Sequence, residues 1–338
     1  MRETLVPHQR LEAFIADCLL RLGLDASSAE IVAETLVAAN LRGVDSHGVV
    51  RLPHYAVRLR NGTIKADPNI TARRTGPSTV VVDGDAGMGL VVATYAMAEA
   101  IDLAKRTGVG VGVARNSSHC GACAYFVELA VKQGLVGIAL THTDSIMVPP
   151  GMKRIFLGSN PIAFGAPGER EPVIIDMSTT HVAWGKILVA RQEGKAIPAS
   201  WGLDKDGNPT TDPNAVVGLA PTGGHKGYAL AMMIEILCAQ LAGVPFGRHV
   251  TKMYGELDKP RNLGHFMLAL DVTRFGDRKL FLSQVQALVD EIRAEGAFAP
   301  GDPERLNAER RKREGIEIPE ATLEQLNVLA GELDVLKL

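Results

Sequence analysis

Residues 79–89 read Thr79-Val80-Val81-Val82-Asp83-Gly84-Asp85-Ala86-Gly87-Met88-Gly89, and residues 108–114 read Gly108-Val109-Gly110-Val111-Gly112-Val113-Ala114. These two glycine-bearing β runs decide whether the chain carries a doubly wound dinucleotide domain. Such a domain shows Gly-x-Gly-x-x-Gly between a strand and a helix, with an acidic residue about 20 positions further on. In the first run the glycine spacing is reversed. In the second the glycines alternate inside a strand pattern, and no helix opens at the required offset. Both runs read as turns or close-packing devices, so a doubly wound domain is not supported.

Outward from these runs, apolar positions at helical spacing (Leu11, Phe14, Ile15, Cys18, Leu19, Leu22) predict a helix over 9–22. Ser27 and Glu30 read as a capping box for a second helix that ends at Gly43. A third helix is expected from Pro53. Further helices are expected at 90–106 and 122–133, and β runs at 135–141, 162–166, 172–177 and 266–271. Residues 227–242 are apolar almost all round, with Glu235 the only charge, which predicts a buried helix. The tail reads as helices at 283–295, 303–313 and 320–333. A helical front, a β-rich middle and a helical tail imply a mixed α/β (α+β) chain, with a central domain inserted between terminal segments that pack together. The divisions fall at 1–118, 119–298 and 299–338.

With 338 residues, 46% of them hydrophobic and 22% charged, the chain has ordinary globular composition and enough length for more than one domain. Net charge is −2, which argues against a nucleic-acid partner. The densest basic stretch, Arg310-Arg311-Lys312-Arg313, is flanked by Glu309 and Glu314 and reads as a solvated helix face. Neither a membrane-spanning run nor a signal pattern is visible, so a cytoplasmic location is expected. Cys120-x-x-Cys123 stands without a second cysteine pair, and only His119 lies nearby, so no metal site is expected.

Two loop clusters could carry chemistry. Ser46-His47-Gly48 with Arg51 and Tyr55 offers an imidazole suited to proton exchange and a guanidinium suited to a carboxylate. The alternative is a surface histidine with a solvated arginine. Asn116-Ser117-Ser118-His119-Cys120-Gly121 lies between a strand and a helix, where polar residues either line a site or cap the helix. Thr141-His142-Thr143-Asp144 and Asp176-Met177-Ser178-Thr179-Thr180 end β runs. Gly223-Gly224-His225-Lys226-Gly227 opens a helix and suits an anion, although glycines there are also ordinary loop formers. A serine hydrolase is disfavoured, because no Gly-x-Ser-x-Gly elbow is present.

Taken in order, Arg42 to Gly48 with Arg51, Asn116 to Gly121, Leu157-Gly158-Ser159-Asn160-Pro161, Asp176 to Thr179 and Gly224-His225-Lys226-Gly227 resemble the malate/L-lactate dehydrogenase family. The resemblance runs from about Leu11 to Leu329. It implies a non-Rossmann cofactor domain with a largely antiparallel sheet over 119–298, flanked by an N-terminal segment for substrate and dimerisation and a C-terminal helical segment. It also implies hydride transfer between a small 2-hydroxy acid and NAD, with NADP as the alternative, in a homodimer. His47, held by Ser46, and His119 become the acid–base candidates. Arg51 and Tyr55 become the carboxylate-binding residues. Thr143, Asp144, Asp176, Met177, Ser178, Lys226, Gly301, Asp302 and Pro303 become cofactor contacts. Residues 183–186, 201–213, 245–248, 253–254 and 261–264 look most like the ureidoglycolate-oxidising branch, implying ureidoglycolate to oxalurate. Malate, lactate or sulfolactate oxidation, and 2-keto or imino acid reduction, are the alternatives within the family. A non-catalytic binding protein of the same fold is the alternative outside it.

Overall fold

A computed structural model describes residues 3–338. The chain runs β1 (Glu3–Val6), α1 (His8–Arg21), α2 (Ala26–Leu41), α3 (Leu52–Arg60), β2 (Thr71–Gly76), β3 (Thr79–Asp83), α4 (Gly89–Thr107), β4 (Val109–Ser117), α5 (Ala124–Lys132), β5 (Val136–Thr141), β6 (Ile162–Ala166) and β7 (Val173–Met177). It continues α6 (Trp184–Glu193), β8 (Gly202–Leu203), β9 (Gly218–Leu219), α7 (His225–Glu235), β10 (Leu263–Leu270), α8 (Arg278–Ala294), α9 (Asp302–Glu314), β11 (Ile316–Pro319) and α10 (Glu320–Leu333). The main sheet has the order β2-β3-β4-β10-β5-β6-β7. Only β3 and β4 pair in parallel; every other neighbour in it is antiparallel. The mixed α/β class and the largely antiparallel sheet agree with the sequence reading.

The opening glycines explain the one parallel pair. β3, α4 and β4 form a crossover unit, and α4 lies directly on β4. A Cβ at Gly110 would sit 1.9 Å from the Ala100 carbonyl oxygen, and one at Gly112 would sit 2.7 Å from that of Ala96. The two-residue strand period puts both glycines on the face that α4 covers. They are close-packing devices, as the spacing implied. Strands β2 to β4 precede residue 119, so the division expected at 118/119 runs through a single sheet. The ends of the chain meet: β1 pairs antiparallel with β11. Val6, Leu11, Ile15, Leu36, Ile316 and Leu326 share one apolar core.

Three expectations are corrected. The cap of α2 is Asp25, whose carboxylate accepts from Ser28 N at 3.0 Å; the box at Ser27 and Glu30 does not form because the helix begins earlier. Helix α7, which continues as a π-turn over Ile236–Gln240, is not buried all round. Gly227, Ala231, Ile234 and Cys238 pack inward, while Leu230, Met232, Met233 and Ile236 face outward. The basic stretch on α9 is not uniformly solvated. Arg311 is only 7% exposed, and Arg310 pairs with Glu317 at 2.5 Å. A run of consecutive like charges on a helix conceals which one faces the body of the protein. Among the described residues no helix is long and apolar enough to cross a membrane.

Candidate active site

Two loops bring the two histidines together. The first follows α2 and contains two single 3-10 turns, Asp45–His47 and Val49–Arg51. Asn40, near the end of α2, holds it from both ends: its Oδ1 accepts from Val49 N at 2.8 Å, and its Nδ2 donates to Asp45 Oδ1 at 2.7 Å. Gly48 passes so close that a Cβ would lie 2.2 Å from Asn40 Oδ1. The second loop joins β4 to α5. Ser118 Oγ accepts from Gly89 N at 2.8 Å and donates to the Gly87 carbonyl at 3.0 Å, which ties the residue before His119 to the start of α4. Asn116 binds Asp83 at 3.0 Å. These polar residues therefore organise the loop and α4, and they do not cap α5.

The imidazoles of His47 and His119 stack with centroids 5.7 Å apart and planes inclined by 23°. Each Nδ1 has its own partner. Ser46 Oγ lies 3.0 Å from His47 Nδ1, and the Tyr55 hydroxyl lies 2.7 Å from His119 Nδ1. Hydrogen bonds at Nδ1 orient both rings and direct proton exchange to Nε2. Tyr55 is fully buried, and its one polar atom is directed at His119. That setting differs from the carboxylate contact expected for it.

Arginines surround the pair. Arg51 donates from Nε to the Ser46 carbonyl at 2.6 Å, hydrogen-bonds the Tyr254 hydroxyl, and lies 5.9 Å over the Tyr254 ring. Arg58 is buried and donates to the carbonyls of Lys252, Met253 and Lys259 at 3.0, 2.7 and 3.1 Å, fastening the segment that carries Tyr254. Arg261 forms an ion pair with Asp144, which also accepts from Met253 N at 3.3 Å. The field is strongly positive. Burial first, then Arg51, pushes the His47 pKa down to about 4. Burial, then Arg51 and His47, holds His119 well below the ordinary imidazole range. Burial, then Arg58 and Arg51, brings His54 down to about 4. These imidazoles are neutral at neutral pH.

The residues expected to hold a cofactor lie at the ends of β5 and β7 and at the starts of α7 and α9. Thr143 is fixed by Asn160, whose Oδ1 accepts from Thr143 N at 3.1 Å, and its hydroxyl accepts from Ser159 N at 3.0 Å. Asp144 instead joins the arginine group through Arg261. Asp176 reaches across from β7 to the start of α5, where it accepts from Ala124 N at 2.7 Å; burial raises its pKa to about 6. It supplies the side-chain cap that α5 lacks locally. Met177 is half exposed beside it, and Ser178 Oγ donates to the Thr180 carbonyl at 3.0 Å. Thr222 N donates to the Thr179 carbonyl at 2.9 Å, so the glycine turn carrying exposed Lys226 lies against this strand end. Gly301 packs on β7, where a Cβ would lie 2.7 Å from the Ile174 carbonyl oxygen. Asp302, which precedes Pro303 at the start of α9, is engaged by Arg293 at 2.5 Å and by Ala299 N at 2.9 Å. Its carboxylate shapes the loop.

Sequence reasoning gave no role to His54, Arg58, Tyr254, Arg261 or Arg311. Met253-Tyr254 and Arg261 stood out only as resembling stretches. Contacts such as Arg261 to Asp144 and Arg311 to Asp45 join residues 117 and 266 positions apart, which no local spacing signals.

Comparison with known proteins identifies the family. The sequence profile of the malate/L-lactate dehydrogenase family matches residues 6–327. L-Sulfolactate dehydrogenase from Methanothermobacter thermautotrophicus is 39% identical over 324 residues, covering 95% of each chain. Ureidoglycolate dehydrogenase (NAD(+)) from Escherichia coli K12 is also 39% identical, over 93% of this chain and 92% of its own. Malate dehydrogenase from Entamoeba histolytica superposes with a TM-score of 0.93 at 30% identity, covering 99% of each chain. Equal identity to the sulfolactate and ureidoglycolate enzymes means that overall likeness does not single out the ureidoglycolate branch. On these grounds the chain belongs to the malate/L-lactate dehydrogenase family.

Proposed function

We propose that this protein is an oxidoreductase that exchanges a hydride between C2 of a small 2-hydroxy acid and a nicotinamide cofactor. The observation that carries the reading is the pair of neutral imidazoles, each oriented through Nδ1, next to a guanidinium on the same loop. When bound, the nicotinamide supplies the hydride acceptor. Arg51 takes the substrate carboxylate, exchanging part of its present contact with Tyr254 for a charge-assisted pair. The neutral Nε2 of His47, backed by Ser46, accepts the C2 hydroxyl proton, and His119, whose Nδ1 takes hydrogen bonds from Tyr55 and from Gly121 N at 3.4 Å, keeps its proton on Nε2 and orients the substrate. Carboxylate binding also cancels the Arg51 charge that depresses both imidazoles, so the base strengthens when substrate arrives.

The residues present suit a nicotinamide cofactor. Gly223 and Gly224 adopt φ of 59° and 63°, and a Cβ at Gly224 would meet only open space. That leaves an accessible backbone cradle at the start of α7, with Lys226 as a point charge for a phosphate. Thr143, Met177, Ser178 and the loop 301–303 complete the surroundings. NAD is the favoured form, in keeping with the name of the ureidoglycolate relative. Ureidoglycolate, sulfolactate and malate are the substrates to compare. The exposed apolar side chains of α7 (Leu230, Met233 and Ile236) support a homodimer in which a second copy covers them.

The test is a panel of ureidoglycolate, sulfolactate, malate and lactate, and their 2-keto counterparts, each with NAD and NADP, followed by nicotinamide absorbance. Turnover of at least one pair that is lost in both His47→Ala and His119→Ala supports the reading. No turnover of any pair by the folded protein overturns it.

A further inference from the structure

The loop that presents His47 is clamped from the other end of the chain. Asp45, two residues before His47, receives Arg311 of α9 bidentately at 2.7 and 3.0 Å. The same guanidinium donates to the main-chain carbonyl of Asn40, the residue whose side chain spans the loop from Asp45 to Val49. Its remaining contacts go to Glu317 on β11, at 3.1 Å from Nε and 3.0 Å from Nη2. Burial works against the Arg311 charge, but Asp45 and Glu317 outweigh it and hold its pKa above the ordinary value. A planar, bidentate guanidinium fixes both distance and orientation, which a lysine cannot do. The β1–β11 pairing and the shared terminal core anchor this arm.

We propose that Arg311 is a positioning residue for the reaction, holding the Asp45–Arg51 loop so that His47 and Arg51 face the substrate together. Arg311 touches no reacting atom in this arrangement. It acts through Asp45 and Asn40, and the C-terminal arm thereby becomes part of the catalytic apparatus. The inference rests on the proposed role of His47. Small misplacements of reacting groups cost up to about 100-fold in rate, so loss of the clamp is expected to appear in kcat.

The experiment compares Arg311→Met, Arg311→Lys, Asp45→Asn, the Asp45→Asn/Arg311→Met double variant and, as control, Arg310→Met. Arg310 shares Glu317 but does not touch the loop. Each is assayed for kcat, substrate KM, NADH or NADPH binding by fluorescence, and thermal unfolding. Arg311→Met and Asp45→Asn are each expected to lower kcat about tenfold or more. The double variant should be no worse than the poorer single one, Arg311→Lys should recover only part of the loss, and nucleotide binding should stay within about twofold. Arg310→Met should lose some thermal stability and keep its kcat. Folded Arg311→Met with undiminished kcat, or a kcat loss in Arg310→Met as large as in Arg311→Met, would overturn the inference. If His47→Ala is fully active, the underlying site reading fails instead, so the two failures are distinguishable.

Discussion

The Tyr55 hydroxyl lies 2.7 Å from Nδ1 of His119, and Tyr55 has no exposed surface. A buried phenol whose only polar atom meets a histidine nitrogen fixes the orientation of that ring. Together with Gly121 N, which donates to the same Nδ1 at 3.4 Å, it keeps the proton of the neutral ring on Nε2. Burial raises the Tyr55 pKa well above its ordinary value, so the phenol stays protonated. Tyr55→Phe keeps the ring and removes this one atom. We expect it to fold normally and to lose kcat by about 10–100-fold, less than the roughly 100–10,000-fold of a general acid–base group, because Tyr55 acts through His119. Substrate KM should change little, because the hydroxyl is directed away from solvent. A kinetic comparison at saturating cofactor checks this. A large KM rise with unchanged kcat would make Tyr55 a substrate contact instead.

Acidity provides a second check. An ordinary imidazole of pKa 6.5 loses about three-quarters of its neutral form between pH 8 and pH 6. His47, held at about 4 by burial and Arg51, loses almost none of it. The kcat/KM profile, which reports the free enzyme, should therefore be flat over that interval. The kcat profile should show a higher acid-limb pKa, because a bound carboxylate neutralises Arg51. Coincident limbs would mean that Arg51 does not receive the carboxylate.

The same shifts set a stability trend. A histidine whose folded pKa is depressed binds more protons unfolded than folded. Its contribution is complete above about 6.5 and is lost as pH falls towards the folded value. His47 and His54 both have that folded value near 4, and His119 and His142 are also depressed. Thermal unfolding should move to lower temperature from about pH 7 to about pH 5, and His54→Gln should flatten the slope. A melting temperature independent of pH over that window would contradict the buried neutral imidazoles.

Gly110 tests how the sheet is built. Its missing side chain leaves room for the Ala100 carbonyl, and a methyl group would meet backbone that cannot rotate away. Gly110→Ala should destabilise by at least roughly 1–3 kcal/mol, the usual range for overpacking. Gly185→Ala, where a Cβ meets nothing within 4 Å, is the neutral comparison. Equal denaturation midpoints would refute the close-packing role of the β4 glycines.

Much of this was legible along the chain, and the rest was concealed for identifiable reasons. The alternation at Gly110 and Gly112 excluded a glycine fingerprint, because a helix–sheet contact has the two-residue period of a strand. The Ser46–Arg51 and Ser118–His119 loops were visible because polar residues with glycine stand between clear apolar periods. Asp25 was missed because Ser27 and Glu30 offered a competing cap nearby. Arg311 was hidden in a run of four basic residues, and only the return of α9 onto α2 distinguishes it. Asp144 and Arg261 needed β10 to lie beside β5, a pairing across more than a hundred residues.

Glu235 joins these levels. It is the only carboxylate in an apolar helix, is nearly inaccessible, and stands where α7 passes into the π-turn. Asn160 Nδ2 and Gly247 N each donate to it at 2.7 Å. His142 accepts from Gly264 N through Nε2 at 2.9 Å, so its neutral ring carries the proton on Nδ1, which faces Glu235 Oε1 at 3.8 Å. Glu235 is thus surrounded by donors and stays ionised: burial opposes the charge, but His142, Gly247 and Asn160 hold its pKa below the usual value. Asn160, at φ of 31°, passes the constraint on to Thr143. Glu235→Gln replaces an acceptor oxygen by an NH2 that must face another donor. A stability loss of roughly 1–3 kcal/mol follows from the unsatisfied pair. Because Thr143 is proposed to contact the cofactor, KM for the nucleotide should rise more than KM for the hydroxy acid. Calorimetry and a two-substrate kinetic matrix measure both effects. A rise confined to the hydroxy acid would assign Thr143 to the substrate and detach it from the cofactor.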